Sequence, residues 1–167
     1  MRVIIVTGTP GSGKTTLARK LANKLDIQYL DVNHLISQKK LEQGYDKKRK
    51  AKIIDTKKLS KALLQEIKQT KKAKKCHGLV IDSHLSHYLP SKHVDICIVT
   101  KCDLKELQKR LKKRKYSKAK IRENLDAEIF DVCLQEAKGL DHKIVVFDTT
   151  SPMPKTAIQD LIISIKK

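Results

Sequence analysis

Consecutive apolar residues, mostly β-branched, recur in four short runs: Val3-Ile4-Ile5-Val6, Leu79-Val80-Ile81, Ile96-Cys97-Ile98-Val99 and Ile144-Val145-Val146-Phe147. Runs without polar alternation predict strands buried on both faces, as in a parallel sheet. Ile27-Gln28-Tyr29-Leu30 reads as a further short strand, and the third run begins as early as Val94. Between the runs the spacing changes to that of helices. Leu17, Leu21 and Leu25 share one face, as do Leu59, Leu63 and Ile67, then Leu104, Leu107 and Leu111. Ile121, Leu125, Ile129 and Val132 predict one long helix ending at Gly139, and Ile158, Leu161, Ile162 and Ile165 a last one opened by Ser151-Pro152. Asp55, Asp103 and Ser117 are placed to cap helices, with Glu106 completing a capping box.

The resulting order is strand, helix, strand, insertion, helix, strand, strand, helix, helix, strand, helix. It predicts an α/β fold of about five strands, all parallel, with helices on both faces. No repeat or linker divides residues 1–167, and that length suits a single domain with an ample core.

Between the first strand and first helix lies Gly8-Thr9-Pro10-Gly11-Ser12-Gly13-Lys14-Thr15, which fits G-x-x-x-x-G-K-[ST]. Glycines let the backbone curl so that successive N–H groups face phosphate oxygens, and the helix start adds its positive end. Gly11 and Gly13 line this loop. Lys14 is placed to reach the β- and γ-phosphates, Thr15 to ligate Mg²⁺, and Thr16 to sit near the α-phosphate. Strand, glycine loop and helix follow in the order the motif needs, so a P-loop NTPase fold is expected.

Leu79-Val80-Ile81-Asp82 ends a buried strand in a carboxylate, as the Walker B pattern does, so Asp82 can hold Mg²⁺ directly or through water. His84, two residues on, returns to the side of Asp82 and is a candidate for handling a proton or a water. Lys109, Arg110, Lys112, Lys113, Arg114 and Lys115 make a basic junction between two helices, bracketed by Arg114 and Arg122. Such a junction can close over a triphosphate, and arginine can neutralise charge on a transferring phosphoryl group. Residues 31–54 break the strand–helix rhythm on the strand-end side of the sheet, where a second substrate can dock or where a solvated helical excursion can lie. That stretch holds Gly44-Tyr45-Asp46 and the run Lys47-Lys48-Arg49-Lys50.

The net charge is +19, from 37 Lys and Arg against 18 Asp and Glu. A field of that strength attracts nucleotides and RNA, although lysine-rich surfaces also arise in proteins working at high temperature. Aromatics are 4% of residues, too few for extended base-stacking platforms. Cys76, Cys97, Cys102 and Cys133 form no C-x-x-C pair, so reduced thiols are expected rather than zinc or disulfides. No apolar run reaches membrane-spanning length, and the first strand is too short for a signal peptide. The expectation is a soluble, intracellular, cytoplasmic protein without a membrane partner.

Several segments together resemble the adenylate kinase isoenzyme 6 family: the Gly8–Thr16 loop, Gly44-Tyr45-Asp46, Ile81-Asp82-Ser83-His84, Arg110-Leu111-Lys112-Lys113-Arg114-Lys115-Tyr116, Lys120–Asn124 and Ala127–Val132. The likeness runs from the P-loop to Asp148-Thr149-Thr150. It implies a nucleoside monophosphate (NMP) kinase-like fold, with an NMP-binding region at 31–54 and a short lid at 113–123. It implies broad-specificity phosphoryl transfer from ATP to AMP and other NMPs, with Mg²⁺, and ATP hydrolysis. It further implies late small-subunit ribosome maturation and 3′ processing of 16S-type rRNA, through transient contact with ribosomal protein uS11 and the pre-ribosomal small subunit. By position, Gly11, Gly13, Lys14, Thr15, Thr16 and Arg114 bind ATP, and Asp82 and His84 form the Walker B pair. Lys115 stands where the family's lid usually has glycine. Two other readings fit the same residues: an ATPase assembly factor with little kinase activity, and a small-metabolite kinase.

Overall fold

The computed structural model describes residues 1–47, 51–73 and 77–166. Lys48, Arg49, Lys50 and Cys76, singled out above, lie outside the described residues. Among the described residues five strands form one parallel sheet: β1 (Arg2–Gly8), β2 (Gln28–Asp31), β5 (Gly78–Asp82), β6 (Ile96–Lys101) and β7 (Ile144–Asp148), in the order β2-β5-β1-β6-β7. β1 lies at the centre, paired on one side with β5 (Val6 opposite Asp82) and on the other with β6 (Gly8 opposite Thr100). The P-loop and the Asp82 strand tip are therefore neighbours across one hydrogen-bonded ladder. The change of strand order beside β1 opens a crevice at the carboxyl ends of the strands, where ligands of such sheets bind.

Both faces of β1, β5 and β6 are covered, as their unbroken apolar runs require, whereas β7, at the sheet edge, has no buried residue and leaves Val146 exposed. Val3 and Ile5 of β1 pack with α2 (Val32–Gln38), α3 (Thr56–Lys72) and α6 (Val132–Gly139). Ile4 and Val6 face α1 (Lys14–Leu25) and α7 (Lys155–Lys166). Asp55, Asp103 and Ser117 cap α3, α4 (Leu104–Lys113) and α5 (Lys118–Ile129) through their side-chain oxygens. The capping box at Asp103 is half made. Glu106 turns to Arg110, and the Asp103 amide donates instead to Thr150 Oγ1 at 2.9 Å.

Four expectations are corrected. The insertion is a short helix, α2, followed by an antiparallel hairpin of β3 (Glu42–Asp46) and β4 (Ala51–Ile54), so Gly44-Tyr45-Asp46 lies in a strand. The long helix predicted from Ile121 to Gly139 is two helices. Asp131 adopts φ 53° between α5 and α6, and the left-handed residue breaks the ladder. Ile129 and Val132 consequently leave the core and are exposed, as is Leu104 at the start of α4. The last helix starts at Lys155, three residues after Pro152. Among the described residues no helix is long and apolar enough to cross a membrane.

The end of α4 explains the unusual Lys115. Its φ is 56°, its amide donates to Lys112 O, and the Tyr116 amide reaches back to Leu111 O. That is a Schellman cap, whose left-handed position favours glycine because a Cβ there is crowded by the carbonyl. Lys115→Gly is expected to raise stability by about 1 kcal/mol and the melting temperature by about 2–4 °C. An unchanged or lowered melting temperature would show the cap is not formed as described.

Candidate active site

The loop at the tip of β1 is built so that its backbone, not its side chains, faces the cleft. Gly8, Gly11 and Gly13 have φ of 138°, 94° and 90°. Gly13 is the N-cap of α1, and a Cβ there would stand 3.1 Å from Thr149 Cβ, so both conformation and space call for glycine. The loop is held from behind by hydroxyls. Ser12 Oγ bonds Thr100 Oγ1, which donates to Thr7 O at 3.1 Å. Thr149 Oγ1, at the exit of β7, donates to Ser12 O. The α1 start leaves N–H groups without helical partners, and no acid stands in its first turn. The result is a preformed anion cradle.

Lys14 lies in this cradle, half-buried, with Nζ donating to Thr9 O at 3.0 Å. Packing of protein around the ammonium pushes its pKa down to about 8; nearby Asp82 opposes this and Arg114 adds to it. A triphosphate beside Lys14 restores the charged form. Below about pH 8 the ammonium is already protonated, and binding needs no proton. Above it, binding takes up a proton, so affinity should fall by up to about tenfold per pH unit. Calorimetric titration of ATP with EDTA between pH 7 and 10 checks this. Affinity constant across that range would contradict it.

Thr15 and Thr16 are exposed in the first turn of α1, and Thr16 lines the adjoining cleft. Asp82 is 3% exposed, and Oδ2 accepts from Tyr29 OH at 3.0 Å. Burial, then the Asp82 charge, drives the Tyr29 phenol up to about 12, so it stays a donor. Asp31 pairs in register with Asp82 but spends its carboxylate capping α2. Among the described residues no group of three or more His, Cys, Asp or Glu could hold a metal. The oxygens on offer, the Thr15 hydroxyl and the Asp82 carboxylate, fit Mg²⁺, which takes its other ligands from phosphate and water.

His84 is exposed at the same sheet end, yet crowded by protein and near the charges of Lys14, His87 and Lys120. Desolvation first, then those cations, lower its pKa to about 4. Its exposure limits how strongly desolvation acts, but every cause has the same sign, so the ring is neutral at pH 7. A neutral imidazole can accept a hydrogen bond from water. The loop carrying it is anchored by buried His87, whose Nδ1 lies 2.8 Å from Thr7 Oγ1 and whose Nε2 lies 2.9 Å from Glu136.

Arg114 caps α4, is exposed, and lines a cleft of about 710 Å³ with Gly11, Gly13, Thr16, Arg110 and Thr149. Arg110 donates to the carbonyls of Thr149 and Thr150, at 2.7 and 3.0 Å, and so clasps the far wall of that cleft. Arg122 turns away to Asp126. Lys14, Thr15, Thr16, Asp82, His84 and Arg114 are thus gathered at one sheet end. Sequence reasoning missed Tyr29, Arg110 and Thr149. Arg110 stood in a basic run where nothing separated it from its solvated neighbours.

A glycine-lined cradle before a helix, a lysine within it and a carboxylate on the adjacent strand tip define a P-loop nucleotide-binding fold. Among solved structures, Acinetobacter baumannii shikimate kinase in complex with shikimate superimposes with a TM-score of 0.63 at 15% identity, covering 99% of this chain and 93% of that one. Deoxyadenosine kinase from M. mycoides with bound dATP gives 0.52 at 18% identity, covering 100% of each chain. At such identities the likeness is one of fold. The family described as AAA domain matches residues 4–131. The chain is 36% identical over 163 residues, 98% of its length and 85% of the relative's, to a protein of Methanocaldococcus jannaschii named "Putative adenylate kinase". It is 32% identical to an adenylate kinase isoenzyme 6 homolog of Dictyostelium discoideum (94% and 83% of the chains), and 35% to one of Schizosaccharomyces pombe (95% and 84%). The chain belongs to the adenylate kinase isoenzyme 6 family.

Proposed function

We propose that the chain transfers the γ-phosphate of ATP to AMP or another NMP, and hydrolyses ATP when no acceptor is docked. The observation that carries the reading is the meeting of Lys14, Asp82, His84 and Arg114 around the cradle. ATP lies with its phosphates on Gly11, Gly13, Lys14, Thr15 and Thr16, and its nucleoside in the cleft that Arg110 and Thr149 line. Thr15 and Asp82 would hold Mg²⁺ with the ATP, and the ion would neutralise phosphate charge. The acceptor docks against α2 and the β3–β4 hairpin, in residues 31–54. Lys39 and Lys52 of that region already pair with Glu66 and Glu42, so acceptor contact falls to other groups there.

The acceptor phosphate is an anion and needs no general base. Rate comes from holding two phosphates in line and from Lys14 and Arg114 meeting the charge of the transferring group. Residues 113–123 act as the lid, bringing Arg114 over the phosphates and keeping water out. In hydrolysis, neutral His84 orients the attacking water, with Asp82 beside it. Purified chain with ATP·Mg²⁺ tests this, comparing AMP, the other NMPs and no acceptor by ADP formed. ADP should rise strongly with at least one NMP over a slow acceptor-free rate. Preference for a non-nucleotide acceptor over every NMP would instead indicate a small-metabolite kinase.

The family relation and the charge of +19 support a cytoplasmic role in small-subunit ribosome maturation, through transient contact with ribosomal protein uS11 and pre-ribosomal RNA. Lys57, Lys58, Lys71 and Lys72 on α3 and Lys112, Lys113 and Lys115 at the α4 exit are exposed and can meet RNA phosphates. Affinity for 16S-type rRNA should fall by at least about tenfold between 50 and 200 mM salt. Binding that ignores salt would leave these lysines as a solvated surface.

A further inference from the structure

We propose that Glu128 is a positioning residue that holds the P-loop through Thr9 and ties it to the helix leaving the lid. The inference rests on the reading of Gly8–Thr15 as a triphosphate cradle. Glu128 lies in the last turn of α5 and is 4% exposed. A carboxylate so buried is costly unless donors surround it. Oε2 accepts from Thr9 Oγ1, and Oε1 accepts from the Cys102 amide at 2.8 Å and lies 3.2 Å from Lys101 Nζ. Lys101 also donates to Glu128 O at 2.8 Å and to the Asp131 carboxylate, at the left-handed break that ends α5.

Thr9 stands at an unspecified position of the motif, where phosphate needs only backbone. Its side chain is nevertheless 2% exposed and committed to Glu128. Its carbonyl accepts both Lys14 Nζ and the Ser12 amide, each at 3.0 Å. One residue therefore connects the α5 carboxylate, the turn of the cradle and the lysine that reaches for phosphate. The other end of α5, about 15 Å away at ~1.5 Å per residue, belongs to the lid segment. A helix is stiff over that length, so fixing Glu128 sets where the lid pivots. No phosphate contact is required of Glu128 itself. Its part is to keep Thr9 O, and with it Lys14, in register with the cradle.

The test compares Thr9→Val, Thr9→Ser, Glu128→Gln, Glu128→Ala and the Thr9→Val/Glu128→Ala pair. ATP·Mg²⁺ affinity is read by calorimetry well below each melting temperature. Amide exchange over 113–123 is read at saturating ATP. Thr9→Val and Glu128→Ala should each weaken ATP about tenfold, as loss of a charged hydrogen bond does, and the pair no more than either alone. Thr9→Ser and Glu128→Gln, which keep a bond, should stay within about threefold of the unaltered chain. ATP should slow exchange over 113–123 in the unaltered chain and much less in Thr9→Val. If Glu128→Ala does not fold, the Val and Ser variants at Thr9 decide alone. Normal affinity in Thr9→Val, fully additive losses, or unchanged exchange with only a lower melting temperature would reduce Glu128 to a structural carboxylate. Failure of the unaltered chain to bind ATP would instead remove the cradle reading, and the clamp with it.

Discussion

Lys14→Ala is expected to lower ADP formation by at least about 10³-fold, with AMP and without it, because both reactions draw on the same electrostatic stabilisation. The two nucleophiles differ, but the phosphoryl group that moves does not. Lys14 is the ammonium set inside the glycine cradle, and no second ammonium shares that loop. The variant loses one bond to Thr9 O and leaves a small gap in a half-buried place, so the fold should persist. Circular dichroism and a melting curve check the fold, and coupled assay of ADP checks the rate. A variant retaining a tenth of the rate would show that the loop is not where the γ-phosphate is handled.

His84→Ala should separate the two reactions. Hydrolysis is expected to fall about 10²-fold, the usual worth of a group that positions a reacting water. Transfer to AMP should change by less than about threefold, since an anionic acceptor brings its own nucleophile. The ring suits the task because it is neutral, exposed near Lys14 and carried on a loop pinned by Thr7, His87 and Glu136. Rates with and without AMP, measured side by side, decide. Equal losses would make His84 a general support of the strand tip and leave the water without an orienting group.

The sheet was legible because parallel strands buried on both faces write themselves as unbroken apolar runs. The P-loop was legible because backbone curvature demands glycine at fixed spacing, and Gly8, Gly11 and Gly13 all adopt left-handed φ. The break at Asp131 was not legible. Ile129 and Val132 continue the helical spacing of Ile121 and Leu125, and the kink is favoured by the tertiary pull of Lys101 on Asp131 and Glu128 O. The hairpin in the insertion was hidden for a related reason. Its strand residues are largely polar and exposed, so alternation carried little signal. Within the site, Asp82 and His84 could be found from a strand end, whereas Tyr29, Arg110 and Glu128 act through partners 53, 39 and 119 residues away. Pairings of that range leave no local pattern.

The account comes down to where a phosphate goes, and ATP labelled with ³²P at the γ position follows it directly. With Mg²⁺ and AMP, the label should appear on the β-phosphate of newly made ADP; without an acceptor, it should appear slowly as inorganic phosphate. Label that remains on ATP under both conditions, or that passes only to water whatever monophosphate is supplied, would contradict it.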